Sequence, residues 1–212
     1  MSNRYDVSGL PEAQFEPGSR GRVLRNSLGI YRKREMDSVE AERLATATDW
    51  AIRHYDAGHR FTADDVCLLH RQWLGTVYPW AGDYRQVNIG KGGFAFAMAA
   101  QIPRLMQEYQ CEVLAIHTPC QFDSIERAVE ALAIAHCELV MIHPFRDGNG
   151  RLARLISTLM ALQAGLPLLD FSGIRGATRK HYFMAVQAAM GRNYEPMKET
   201  FRAVLRRSGW TG

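Results

Sequence analysis

The 212-residue chain is poor in cysteine and has no arrangement that would pair the few it contains. Cys67, Cys111, Cys120 and Cys137 show no CxxC spacing, so neither a disulfide framework nor a thiolate metal knot is indicated. All but Cys120 stand in apolar, helix-like contexts, where a free thiol serves as a small core residue. This usage predicts a reducing, cytoplasmic compartment. Met1 to Leu10 contains no apolar segment of the kind a secretory signal needs, while delivery by a C-terminal or other export signal stays open. No run approaches the roughly eighteen apolar residues of a spanning helix, so no membrane partner is expected. Excess charge is small as well, with a net charge of +4 and a pI near 9.0. That balance suits an anionic ligand but is too weak to argue for nucleic acid without a patch. The only dense basic cluster, Arg202 to Arg207, falls on a predicted helix and reads as a solvated face. The GxxxxGK[ST] phosphate loop and the HExxH zinc pair are both missing, and there is no internal repeat or low-complexity segment.

What the chain does contain is helical periodicity. Residues 1–36 read as irregular, with Pro11, Pro17 and Gly18. Asp37-Ser38-Val39-Glu40 resembles a capping box opening a helix to Tyr55. Thr62-Ala63-Asp64-Asp65 opens a second helix that stops at Gly75. Asp123 or Ser124 caps a third from Ile125 to Ile142, which Pro144 cannot continue. A fourth runs from about Gly150 to Ala164 and ends at Gly165-Leu166-Pro167. Two more are predicted over 176–190 and 194–207. One interval breaks the pattern. Tyr84 to Ile89 alternates, Gly90-Lys91-Gly92-Gly93 turns the chain, and Phe94 to Ala97 alternates again, which is a hairpin signal. An isolated hairpin is marginal in water, so it must lie on the helical body or be completed by something else. The alternative is a simple connector.

The richest stretch is His143-Pro144-Phe145-Arg146-Asp147-Gly148-Asn149-Gly150-Arg151-Leu152-Ala153-Arg154, between two predicted helices. A helix N-terminus carries partial positive charge and favours carboxylates in its first turn. Here it opens instead with Arg151 and Arg154, one turn apart on one face. Broken local rules of this kind mark functional sites, and a bound polyphosphate would turn the penalty into a gain. Gly148 and Gly150 would allow unusual backbone angles and close approach of phosphate oxygens. Asn149 could cap the helix, donate its amide to a phosphate, or both. Asp147 beside such a cradle calls for a cation. Mg²⁺ suits it, taking one carboxylate plus phosphate oxygens, although a plain turn residue is the simpler reading. His143 has the pKa range to accept a proton from an attacking hydroxyl, or it could merely complement the end of the preceding helix. A zinc site of His136, His143 and Asp147 is a weaker reading, without the usual spacing. Phe145 reads as an apolar anchor for the loop.

These twelve residues resemble the Fic-family signature HPFx[D/E]GNGRxxR, matched at every defined position. The likeness extends to Leu28-Gly29-Ile30, to Val77-Tyr78-Pro79-Trp80-Ala81-Gly82 with Arg85, and to the hairpin from Val87 to Phe96. It covers roughly residues 20–205. The resemblance implies one all-α domain, a compact helical bundle with a short β-hairpin flap beside the active site. It implies ATP as co-substrate, Mg²⁺ as cofactor, and AMP transfer to an accessible Ser, Thr or Tyr hydroxyl of a target protein. His143 would be the general base and Asp147 the metal ligand. Gly148, Asn149 and Gly150 would form the anion cradle, Arg151 and Arg154 would bind the outer phosphates, and Lys91 and Gly92, near the flap turn, would join the ATP and phosphate contacts. Val87, Asn88, Ile89, Gly93 and Phe94 would form a docking flap that clamps an extended target segment by strand addition. Relatives acting as kinases carry lysine in place of the second cradle glycine, whereas Gly150 is intact here. Another phosphate-containing donor, or an inhibited module binding nucleotide without turnover, is the alternative.

Many family members also carry an inhibitory helix, [S/T]xxxE[G/N], whose glutamate pairs with the second motif arginine. Ser38 to Glu42 fits until Arg43 fails the last position, and it falls inside the predicted first helix, which reads as a chance match. An unguarded Arg154 would imply a separate small antitoxin protein supplying the glutamate, with this chain as the toxin half of the pair.

Overall fold

The computed structural model describes residues 9–91 and 93–211. Helix α1 spans Lys33–His54 and α2 spans Ala63–Leu74. A hairpin of β1 (Gly90–Lys91) and β2 (Phe94–Ala95) follows, then α3 (Ile102–Tyr109), a widened π turn over Gln110–Leu114, and α4 (Ala115–His117). The chain is completed by α5 (Ile125–Ile142), α6 (Asn149–Gln163), α7 (Ala177–Ala188) and α8 (Glu195–Arg207). The architecture is all-α with a short flap, as the sequence reading expects. Among the described residues no helix is long and apolar enough to cross a membrane.

Local chemistry accounts for the boundaries that were expected. The Thr62 hydroxyl accepts from the Asp65 N–H while the Asp65 carboxylate accepts from the Thr62 N–H, a reciprocal capping box. Ser124 caps α5 through the Arg127 N–H. The α5 helix is buried along most of its length, from Ala128 to Ile142, and packs against α6 and α8 in the centre of one hydrophobic cluster.

Four expectations need correction. Helix α1 begins at Lys33, so Asp37 to Glu40 is no capping box; Ser38 lies inside the helix and bonds back to the Arg34 carbonyl. Helix α3 was not foreseen. Pro103 stands in its first turn, where a missing N–H costs nothing. The hairpin ladder is shorter and later than the alternation suggests. Gly90 pairs with Ala95 and Lys91 with Phe94, so Gly90 and Lys91 belong to a strand rather than to the turn. Cys111, finally, is exposed rather than part of the core.

Candidate active site

The site is built at the junction of α5 and α6. His143 closes α5 with left-handed backbone (φ 54°, ψ 58°), uncommon for a residue with a side chain. Its N–H still bonds the Leu139 carbonyl at 3.0 Å. Its imidazole Nδ1 lies 2.9 Å from the Val140 carbonyl. A carbonyl can only accept, so Nδ1 carries the proton and Nε2 the lone pair in the neutral ring. The ring stacks on Phe96 of the flap, with centroids 3.6 Å apart.

The loop that follows is rigid. Phe145 is fully buried. Its N–H donates to Asn149 Oδ1 at 2.9 Å, and Asn149 Nδ2 donates back to the Phe145 carbonyl at 2.7 Å. The Asn149 amide is therefore spent on the loop. It does not cap α6, whose N-cap is Gly148, and any anion contact by Asn149 falls to its backbone. Gly148 needs its glycine, with φ +84° and a virtual Cβ only 2.7 Å from the Trp73 ring. Gly150 is different. Its backbone does not take a positive φ, and a Cβ there would meet nothing within 4 Å. Its contribution is open space rather than unusual angles.

The hydrogen bonds at the start of α6 decide which of its backbone donors are already paired. The Gly148 carbonyl takes the N–H groups of Arg151 and Leu152 at 3.0 and 2.9 Å, and Asp147 Oδ1 takes the Gly148 N–H at 2.6 Å. Among the described residues nothing accepts from the N–H groups of Asn149 and Gly150. Two donors at the positive end of a fifteen-residue helix remain for an anion. Asp147 stands exposed beside them, with Arg151 Nη2 3.7 Å from its Oδ1. Arg154 lies over the rings of Tyr182 and Phe171 at 5.3 and 5.5 Å, and its buried Nε has no acceptor.

Among the described residues no group of three or more His, Cys, Asp or Glu side chains is placed to hold a metal. His136, in the zinc reading, is committed elsewhere: Nδ1 lies 3.1 Å from Ser157 Oγ and Nε2 2.7 Å from the Tyr182 hydroxyl. Burial lowers its pKa to about 3. A lone accessible carboxylate beside an anion cradle does fit Mg²⁺, which needs few protein ligands when phosphates supply the rest.

The supports of this site were not singled out as site residues from sequence. Buried His70 on α2 stacks flat on Phe145, with centroids 3.9 Å apart. Its Nδ1 accepts the Gly82 N–H at 2.8 Å, so Nε2–H donates to the Asp147 carbonyl at 3.1 Å. Burial depresses its pKa to about 4, which keeps that tautomer neutral. Arg85, 1% exposed, donates to the carbonyls of His143 (2.8 Å), Val87 (2.7 Å) and Ala97 (2.6 Å). One guanidinium thus ties both feet of the flap to His143, a task for five donors in a fixed fork. Burial pulls its pKa down, and the nearby Glu12 carboxylate opposes that. Glu12 itself takes the N–H groups of Gln86 and Val87 at 2.6 and 3.1 Å, and its carbonyl takes Arg146 Nε–H at 2.8 Å. Three residues apart on α2, His70 and Trp73 share a face, which was the only available hint.

The flap residues divide. Ile89, Gly93 and Phe94 lie in or beside the hairpin, with the Phe94 and Phe96 rings 5.2 Å apart. Val87 is buried and forms the foot of the flap, not its docking surface. Asn88 Oδ1 accepts the Ala99 N–H at 2.8 Å. Lys91 lies in β1, and Gly92 falls outside the described residues.

The structure thus brings together two unspent helix N–H donors, an imidazole, a carboxylate and two arginines on a helical bundle, a set whose chemistry suits phosphate groups. The comparisons narrow the class. The Fic/DOC family profile matches residues 60–161. The Salmonella typhimurium protein named "Probable protein adenylyltransferase Fic" is 32% identical over 167 residues, covering 74% of this chain and 76% of that protein. The chain belongs to the Fic/DOC family. Some relatives are longer: the chain spans 24% of the Caenorhabditis briggsae protein adenylyltransferase fic-1, at 33% identity over 132 residues. Among solved structures, the N-terminal Fic domain of a VirB-translocated effector from Bartonella sp. AR 15-3 superposes with a TM-score of 0.77. That likeness covers 99% of this chain and 98% of that one at 22% identity, and it shows the shared fold. A Fic domain from Bartonella quintana with bound ADP is 25% identical, with a TM-score of 0.68 over 85% of this chain and 89% of that one.

Proposed function

We propose that the chain transfers the AMP moiety of ATP to a hydroxyl side chain of a target protein. The observation that carries this reading is the pair of unspent N–H donors of Asn149 and Gly150, set between Asp147, two arginines and the His143 ring. The target oxygen attacks the α-phosphorus, its proton passes to His143 Nε2, and the bond to the β-phosphate oxygen breaks to release pyrophosphate. The cradle donors and arginines stabilise the charge that develops on the phosphates, so catalysis rests on positioning and electrostatics. Asp147 would hold Mg²⁺, which supplies further neutralisation of the polyphosphate. The open edge of the β1–β2 hairpin suits an extended target segment added as a strand. The names of the relatives and the ADP-bound Fic domain support the nucleotide and the transfer.

Incubation with a lysate and labelled ATP tests the proposal. Label at the α-phosphorus is expected to appear on protein, and label at the γ-phosphorus is not. Transfer of γ-label would mean a kinase, and no transfer with tight ATP binding would mean a nucleotide-binding module.

Control is proposed to come from a separate small protein. Among the described residues no carboxylate pairs with Arg154, and Glu42, in the inhibitory-like match, lies exposed on α1. A small antitoxin offering a glutamate to Arg154 would make this chain a toxin. Such a partner is expected to co-purify when both are expressed from the native operon. Full activity without growth arrest from this chain alone would count against the pairing.

A further inference from the structure

We infer that Glu40 is a positioning residue for Arg151 and thereby sets the preference of the site for a nucleotide with a polyphosphate tail over a nucleoside monophosphate. This inference rests on the nucleotide reading above. Glu40 lies on α1, far from the motif in sequence, and its side chain is 2% exposed. Its Oε2 accepts Arg151 Nη1–H at 2.7 Å and its Oε1 accepts the Tyr78 hydroxyl at 2.6 Å. The Glu40 backbone carbonyl takes the Trp73 indole N–H at 2.8 Å. The Trp73 ring in turn carries the Arg151 guanidinium on its face at 4.6 Å, and the edge of the same ring meets Gly148. One assembly therefore fixes the floor of the loop and the orientation of the arginine.

Two physical arguments make this more than a structural ion pair. Only the Glu40 side of this pair is buried, and Arg151 is half-buried. Taking a carboxylate out of water costs desolvation that offsets its attraction to the arginine, so such a pair adds little net stability. Retaining one here calls for a function of geometry. The geometry supplies it: with Nη1 held by Glu40, Nη2 is directed to the side of Asp147, 3.7 Å away, at the cradle. A free arginine on a surface helix samples many rotamers, whereas this one is held by a carboxylate, an indole face and the loop, so little freedom is lost when an anion arrives. Arg154 has a different support, two aromatic rings and no carboxylate among the described residues. The two motif arginines are thus unequal. Arg151 is balanced and preset, and Arg154 carries the uncompensated charge.

The test measures the affinities of ATP and of AMP by calorimetry, with Mg²⁺ present, for the wild-type chain and for Glu40→Gln. Glutamine keeps the shape but removes the charge that orients Arg151. ATP affinity is expected to fall about tenfold, the net worth of roughly one charge-assisted hydrogen bond, while AMP affinity moves less than about twofold. Arg151→Met is expected to lose ATP affinity similarly, and Glu40→Gln added to it to cause no further loss, because the glutamate acts through the arginine. Equal losses for ATP and AMP, no loss, tighter ATP binding, or an additive double variant would each overturn the inference. Should thermal melting show that Glu40→Gln does not fold, Tyr78→Phe removes one hydrogen bond to the same carboxylate. It is expected to lower the ATP-to-AMP preference about threefold, and an unchanged preference would overturn the inference. Wild-type chain that binds neither nucleotide sinks the nucleotide-transfer reading itself. Wild-type chain that prefers ATP, beside a Glu40→Gln variant with the same preference, sinks only the role of Glu40.

Discussion

His143→Asn is expected to lower transfer of α-label from ATP by about 10²–10⁴-fold while the protein stays folded, the usual contribution of a positioned general base. Asparagine is the informative replacement because of the backbone. His143 sits at φ 54°, a region that asparagine tolerates and alanine resists. Alanine would remove the base and strain the end of α5 together, so a loss of activity would have two causes. Asparagine loses the basic nitrogen and the stack on Phe96, the latter worth roughly 1 kcal/mol. Melting curves therefore should differ by a few degrees at most, with nucleotide affinity retained. Label transfer within about tenfold of wild type would show that His143 is not the proton acceptor. A matching collapse of the melting transition would show that its role is structural.

Gly148→Ala and Gly150→Ala are expected to have opposite effects on stability, although the two glycines flank the same asparagine. At Gly148 the new methyl would lie 2.7 Å from Trp73, a ring wholly buried in the core, at a backbone angle of φ +84°. Overpacking costs about 1–3 kcal/mol and left-handed backbone about 1–2 kcal/mol more. Together these consume a large share of the 5–15 kcal/mol that typically holds a domain folded. At Gly150 the methyl meets nothing within 4 Å and the residue lies in α6, so alanine should be neutral or stabilise by up to about 1 kcal/mol. Denaturant midpoints of the two variants measure the separation. A Gly148→Ala protein as stable as wild type would mean that the loop can lift off Trp73, and the rigidity ascribed to it would fail.

Much of this organisation could be read before any coordinates. The α5 boundaries at Ile125 and Ile142 follow from Ser124 and Pro144, because a cap and a ring without an N–H act within a few residues. The capping box at Thr62 and Asp65 is local in the same way. The start of α1 was misplaced for the complementary reason. Asp37 and Ser38 imitate a cap, but a cap residue inside a helix simply faces elsewhere, and no local term in the sequence distinguishes the two cases. The hairpin register differs from the alternation as well: the Ile89 carbonyl accepts the Phe96 N–H at 3.3 Å, but Tyr84 to Asn88 alternates outside the ladder. That segment is held by Glu12, which accepts the N–H groups of Gln86 and Val87, and by Arg85, which donates to the Val87 carbonyl.

The sequence alone determined the order of chemical groups from His143 to Arg154, the helices on either side, and the anomaly of two arginines opening a helix. These depend on covalent neighbours and on a helix dipole that acts within one turn. Tertiary structure alone decided what holds those groups still. Glu40, His70, Trp73, Arg85 and Glu12 reach the motif across 58 to 134 residues of chain, and their hydrogen bonds exist only once α1, α2 and the N-terminal segment have packed beneath it. It also decided that the Asn149 amide closes the loop instead of facing a ligand, and that Arg151 is matched by a buried carboxylate while Arg154 is not. Local rules specify which donors and charges a segment offers. Packing specifies which of them are satisfied inside the protein and which remain for a substrate.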